Sequence, residues 1–225
     1  MHLVIGNKNY SSWSMRPWVL MKQLGLHFEE VKLRLDLTPN SAFYRELAHF
    51  TPAGQVPVLL DDDFSVWETL AIIEYLHDKF PGRGIWPEDI RQRARARSMA
   101  AEMHAGFGAL RSHCPMNIEA LLPEVGQRIW AEQAKVRANV ERIEVAWVDA
   151  LNASGGPFLF GEFCAADAMY APVATRLRTY GLPMSPTVRA YVDRLLAAPG
   201  PAAWIADALK EKDFLDFDEP YRQQR

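Results

Sequence analysis

Apolar and polar residues follow two rhythms along this chain, and the change between them divides it. Through the first eighty positions, apolar runs of strand length alternate with stretches at helical spacing. His2 to Ile5 predicts a short buried strand, and Gly6 to Tyr10 a polar connection. A helix then starts near Trp13 or Ser14 and runs to about Gly25, because Pro17 is tolerated only in a first turn. His27 to Leu33 reads as a second strand and Asn40 to Phe50 as a second helix. Val56 to Leu60 is a third strand carrying Pro57, a residue that cannot donate to a sheet ladder. It therefore stands at a strand start or in a special backbone site, a cis bond included. Asp61, Asp62 and Asp63 form a polar turn, and Phe64, Ser65 and Val66 alternate as the other arm of a hairpin. Glu68 and Thr69 open a third helix with Leu70, Ile73, Leu76 and Phe80 at helical spacing, stopped by Pro81 and Gly82.

The order β-α-β-α-β-β-α is that of thioredoxin-like domains, whose parallel strands require right-handed crossovers. After residue 80 the rhythm is helical throughout. The expected organisation is an α/β thioredoxin-like domain over residues 1–80, a Pro/Gly-rich linker over 81–89 in which Trp86 packs down, and an all-α helical bundle over 90–225. Within the bundle, Arg91 to His113 predicts one long helix. Glu124 to Leu151 predicts another, with Val125, Ile129, Val136, Val140, Ile143 and Trp147 on one stripe, ended by Gly155-Gly156-Pro157. Thr187 to Ala197 and Pro201 to Lys210 predict two more. The acidic and aromatic tail from Glu211 is expected to fray; the competing reading packs it over the ligand site.

The composition narrows the function classes. A net charge of −3 over 225 residues implies no nucleic-acid surface and no strongly basic membrane surface. No stretch is long and apolar enough for a membrane span, and the start lacks a leader's basic and apolar pattern. Two cysteines, Cys114 and Cys164, make neither a disulfide framework nor a metal site, so no metal is expected and a reducing, cytoplasmic setting is.

The chemistry gathers at two helix starts. A free N–H and a hydroxyl at the positive end of a helix suit a carboxylate, and the Glu68 carboxylate suits an ammonium. Val56-Pro57 before a hairpin, then Glu68-Thr69 at a helix start, resembles the glutathione-binding half of the glutathione transferase family. The resemblance implies that Pro57 is cis, that the Val56 backbone meets the cysteinyl unit of glutathione, and that Glu68 and Thr69 hold its γ-glutamyl end. The run Ser11-Ser12-Trp13-Ser14-Met15-Arg16 is similar to the serine-type zeta-class motif, with Trp13 in place of its Cys and Met15 in place of its Trp. On that match Ser11 is the thiolate donor and Ser12 its helper, with Tyr10 as an alternative. Gln55 matches a glutathione contact, and His49 is a candidate for the glycyl carboxylate. Arg16 is expected to pair inside the fold. Cys164-Ala165-Ala166-Asp167 resembles the family's second-domain helix-capping motif, with Asp167 as a folding residue.

The electrophile should meet the thiol at the second domain's face. Met103, His104, Phe107, Leu110, Arg111 and Cys114 recur at helical spacing, and Arg176 and Tyr180 follow the Asp167 motif. Arginine is rarely buried unless paired, so Arg111 and Arg176 either pair with acids such as Glu102 or Glu119 or face the cleft. The resemblance implies a cytoplasmic, homodimeric detoxification enzyme that uses glutathione as co-substrate. Zeta-like cis–trans isomerisation and a non-catalytic glutathione-fold protein are the competing functions.

Overall fold

The computed structural model describes residues 1–225. Its first domain is a four-stranded mixed sheet of β1 (His2–Ile5), β2 (Glu29–Lys32), β3 (Val58–Asp61) and β4 (Phe64–Trp67), in the order β2-β1-β3-β4. β1 runs parallel to β2, with Val4 opposite Val31, and antiparallel to β3, with Leu3 opposite Leu59. β3 and β4 form the hairpin, turning between Asp61 and Phe64 with Asp62 left-handed at φ 55°. α1 (Ser12–Gln23) and α3 (Thr69–Lys79) share the main core with Leu3, Ile5 and Leu59. α2 (Ala42–Leu47) packs Phe43 and Leu47 with Val4 and Val58 in a smaller core on the opposite face. This two-sided burial is the period-2 alternation of β1 made visible. β2 and α2 are shorter than their apolar patterns suggest, and β2 is largely exposed rather than buried.

The second domain contains α4 (Ile90–Ala105), α5 (Gly108–His113), α6 (Pro123–Glu132), α7 (Ala134–Ser154), α8 (Ala165–Thr179), α9 (Pro186–Ala197) and α10 (Pro199–Glu211). α8 is its axis. Fourteen of its fifteen residues are buried, so it is enclosed on all sides, with its buried polar residues Asp167 and Arg176 bonded within the fold. α1 packs against both α8 and α10, so one continuous core crosses the domain boundary. Trp86 of the connecting segment is buried in that core, with the Arg97 guanidinium over its ring. No helix is long and apolar enough to cross a membrane.

Two long helices expected from the sequence are each broken. The Arg91–His113 run breaks at Gly106-Phe107, where Phe107 turns left-handed at φ 55° and the Arg111 Nε donates back to the Gly106 carbonyl at 3.2 Å. A β-carbon at Gly106 would meet the Glu102 carbonyl at 2.7 Å, so this bend requires glycine. The Glu124–Leu151 run breaks at Gln133. There the Arg137 Nη1 donates to the carbonyls of Trp130 (2.5 Å) and Ala131 (3.0 Å), groups that an unbroken helix would satisfy by itself.

The tail does not fray. Glu211 pairs with Lys32 at 3.1 Å, and Asp213 with Arg34 at 2.9 Å. The tail then makes a short 3-10 turn, Asp216–Asp218. Glu219 is buried and accepts from the Tyr10 hydroxyl (2.6 Å) and the Asn117 amide (2.8 Å). The tail is thus packed against the fold rather than frayed, and Phe217 and Asp218 line a cleft.

Candidate active site

Between the α1 start, α2 and the loop before β3 on one side, and α4, α5, α8 and the tail on the other, lies a cleft of about 770 Å³. Four pieces of chain build it. The first is the start of α1. Ser11 precedes the helix, and its Oγ lies 2.8 Å from the Ser14 Oγ, which accepts from the Gly6 backbone N–H at 3.2 Å. Hydroxyl hydrogens rotate to suit their partners. Ser14 can therefore donate to Ser11, which leaves the Ser11 proton to be donated into the cleft. The Ser12 Oγ accepts from the Arg176 Nη2 at 3.3 Å. Tyr10 also lines the cleft, but its hydroxyl is committed to Glu219, and burial together with that bond pushes its pKa up.

The second piece is the segment before β3. The Val56–Pro57 bond is cis, with Pro57 buried behind it, and Gly54 (φ 65°), Gln55 and Val56 line the wall. The third is the start of α3. Glu68 adopts φ 73° and ψ 128°, a conformation costing on the order of 1–3 kcal/mol for a residue with a side chain. It places the Glu68 carboxylate in the cleft wall, 3.0 Å from the His104 Nε2 of α4. Thr69 is fully buried, and its hydroxyl donates to the Trp13 carbonyl at 3.2 Å. What this helix start offers an anion is thus its unpaired backbone N–H groups.

The fourth piece is cationic. Arg16 is fully buried; it donates to the Met169 carbonyl (3.0 Å) and the Ser12 carbonyl (2.7 Å), as expected for a residue pairing inside the fold. Arg176, also buried, donates to the carbonyls of Cys114 (2.8 Å) and Pro172 and to Ser12. Arg111 reaches the cleft from α5. The Trp13 ring stands among them, 4.2 Å from the Arg16 guanidinium, 5.4 Å from that of Arg111 and 5.2 Å from the His104 ring. All hydrogen bonds of these three arginines go to neutral oxygens. The acids considered as partners are occupied elsewhere: Glu102 by Arg142, and Glu119 by Arg222 and Arg225. Burial first, then mutual repulsion with Arg176 and Arg111, holds the Arg16 guanidinium below its ordinary value; burial alone leads the fall of Arg176 to about 10. Such a cluster favours an anion at the α1 start, because each cation lowers the pKa of an acidic ligand group.

Of the residues singled out in the sequence, Ser11, Ser12, Gln55, Val56, Glu68, His104, Arg111 and Arg176 meet around this cleft. His49 does not; it is exposed near the end of α2. Met103 and Phe107 are buried in the main core, and Tyr180 is buried with its hydroxyl on the Pro115 carbonyl at 3.1 Å. His104, Phe107 and Arg111 do not share one helical face, because the helix bends at Phe107. The cleft's apolar lining comes instead from Trp13, Leu35, Leu37, Phe43, Pro115, Met116 and Phe217. Cys114 is buried, with its thiol pushed up to about 12, so it is no nucleophile. No group of residues suited to holding a metal ion is present.

The sheet order, the cis Val56–Pro57 bond and the helical second domain define a protein of glutathione-transferase architecture. Residues 10–79 match the family described as glutathione S-transferase, N-terminal domain. The chain is 27% identical over 171 residues to Protein IN2-1 of Zea mays, covering 76% of this chain and 63% of that one. It is 27% identical over 179 residues to the maleylacetoacetate isomerase of Rattus norvegicus, covering 78% of this chain and 77% of the rat protein. A crystal structure of a Burkholderia glutathione transferase homolog with bound glutathione has the same fold: TM-score 0.70 and 24% identity, covering 93% of this chain and 98% of that one. The first domain is thus similar to the glutathione S-transferase N-terminal domain, and the chain has a likeness to zeta-class relatives.

Proposed function

We propose that this protein is a glutathione transferase that ionises the glutathione thiol and directs it at an electrophilic small molecule. The observation that carries the reading is Ser11 at the α1 start, backed by Ser14, in one cleft with Val56 and amid three arginines that make no ion pair with a protein carboxylate. In the mechanism, the Val56 backbone holds the cysteinyl unit and Glu68 the γ-glutamyl ammonium, while the α3 N–H groups meet the γ-glutamyl carboxylate. Ser11 donates to the sulfur. Free thiol has a pKa of about 8.5, and each unit of lowering needs about 1.4 kcal/mol. One charge-assisted hydrogen bond of about 1.5–3 kcal/mol supplies one or two units. Arg176 and Arg111 add to the same effect. The test is glutathione-dependent turnover by purified protein against halides, epoxides, enones, peroxides and maleyl acids. No turnover of any class, with no retention on immobilised glutathione, contradicts the reading.

A second reading, reversible addition to a maleyl-type double bond, draws support from the rat relative and from Ser11-Ser12. Trp13 replaces the motif's Cys, so on this reading the isomerisation proceeds without that thiol. Isomerisation of a maleyl acid without consumption of glutathione separates the two. The proposed setting is the cytoplasm and the proposed role detoxification. The proposed assembly is a homodimer, and light scattering at micromolar concentration then gives twice 25.5 kDa; a single 25.5 kDa species contradicts it.

The electrophile is proposed to be apolar with an anionic group, the Trp13, Met116 and Phe217 side chains contacting its body and Arg111 its charge. Arg111→Ala should then cost a carboxylated electrophile about 1.5–3 kcal/mol in kcat/KM relative to a matched neutral one. Equal losses on both would make Arg111 purely structural, through its bond to the Gly106 carbonyl.

A further inference from the structure

We propose that Asp218, carried on the C-terminal tail, is the proton-transfer residue of the cleft. It would accept the glutathione thiol proton and return it to the carbon that becomes negative when the sulfur adds to a conjugated double bond. This rests on the glutathione transferase reading above. Ser11 can stabilise a thiolate by donating to it, but a serine hydroxyl cannot carry away the proton the thiol loses. A neighbouring base keeps that proton within the cleft for return to the product carbon, and the cleft contains two carboxylates. Glu68 is engaged with His104 and, on the reading above, with the ligand's ammonium. Asp218 lines the same cleft as Ser11 and Ser12, yet its carboxylate makes no hydrogen bond or ion pair.

The tail holds Asp218 in place. Its backbone N–H donates to the Leu215 carbonyl at 2.8 Å. The next residue, Glu219, is fixed by Tyr10, Asn117 and Arg222. This also accounts for Tyr10: its hydroxyl anchors the tail rather than meeting the sulfur. The groups acting on Asp218 are Arg176 from α8 and Glu219 beside it, with Arg111 lining the same cleft from α5 and the Glu68–His104 pair across it. Burial dominates over the Arg176 attraction, with Glu219 adding in the same direction, and the carboxyl is pushed up to about 6. A base with that pKa is largely ionised at neutral pH and still a useful acid once protonated.

The step balances. The thiol S–H bond breaks and its proton goes to an Asp218 carboxylate oxygen. The sulfur pair forms the S–C bond, and the π pair of the double bond moves to the adjacent carbon. That carbon then takes the proton from Asp218, which regenerates the carboxylate. No other reactant is consumed.

The test measures kcat against pH for glutathione addition to a small enone. In the wild type kcat falls on the acid side near pH 6, where the carboxylate is protonated. Asp218→Asn should lower kcat about 10²-fold or more and abolish the limb near pH 6, leaving the ionisation of the bound thiol as the only acid-side fall. Asp218→Glu should retain the limb, and added formate should partly restore Asp218→Ala. A limb that stays near pH 6 in Asp218→Asn, apart from the ionisation of the bound thiol read by thiolate absorbance, overturns the proposal. So does a loss of rate that neither Glu nor formate relieves, which would mark Asp218 as structural. Glutathione binding by calorimetry is measured on each protein. Wild type that fails to bind glutathione refutes the transferase reading, whereas wild type that binds and turns over with an unaltered Asp218→Asn profile refutes only the role of Asp218.

Discussion

Replacing Ser11 with Ala is expected to lower kcat about 10- to 100-fold while changing glutathione affinity little. On the proposed mechanism the hydroxyl acts on the charge of the sulfur, whereas Val56, Glu68 and the α3 N–H groups hold the peptide. Loss of one charge-assisted bond of about 1.5–3 kcal/mol returns the thiol pKa one or two units toward its free value and depletes the thiolate by the same factor. The neighbours set the size of the effect. Ser14 is held by the Gly6 N–H and stays in place in the variant, and Arg176 keeps its bond to Ser12. Some thiolate stabilisation therefore survives, and the loss should stop short of abolition. Ser12→Ala should cost less, because the Ser12 Oγ already accepts from Arg176 and its removal leaves that buried guanidinium with its carbonyl partners.

Asp167→Ala is expected to be the most destabilising single substitution, by about 3–5 kcal/mol at neutral pH. The Asp167 carboxylate is fully buried at the start of α8. It accepts from the Leu159 N–H (3.1 Å), the Cys164 N–H (3.0 Å) and the Tyr191 hydroxyl (2.9 Å). All three donors are buried and lose their acceptor together. Tyr191 in turn stacks edge-on with Trp147, which packs on Tyr170, so the defect enters the centre of the bundle. Part of the loss is offset, because burial raises the Asp167 carboxyl from 3.8 to about 6 and the charge is costly to hold. The folded state binds more protons than the unfolded state between those values. The wild type therefore gains stability as pH falls through that window, and its lead over Asp167→Ala should widen from pH 7 to pH 4. Urea unfolding at the two pH values measures both effects. Equal midpoints for wild type and variant would contradict the account.

Much of the first domain was legible because its signals are local. Pro57 inside an apolar strand, three aspartates at a turn, and an acid and hydroxyl at a helix start each constrain the backbone within a few residues. The second domain was harder to read for a physical reason. Helical spacing says which residues share a face, but not whether that face meets a cleft or a core. Met103 and Tyr180 have the spacing of pocket residues and lie in the core. The breaks at Phe107 and Gln133 depend on Arg111 and Arg137 side chains bonding to carbonyls, which periodicity does not register. The loop Gly6 to Tyr10 reads as a polar connection but is buried throughout. Its polar atoms are satisfied from far along the chain: Asn7 by Asp213, Lys8 by Asp207 and the Trp204 indole, Asn9 by Asn117, and Tyr10 by Glu219. The same long-range bonding orders the tail, and for that reason Asp218 and Phe217 could not be assigned to the cleft from local pattern.

The claim on which the rest depends is that this chain ionises bound glutathione through the start of α1. Thiolate absorbance of glutathione bound to the wild type and to Ser11→Ala, titrated against pH, tests it directly. The account predicts a thiol pKa in the wild type at least about one unit below the free value of about 8.5, moving back up in the variant with binding retained. A bound thiol that titrates at its free value in the wild type, or one unmoved by loss of the Ser11 hydroxyl, would contradict it.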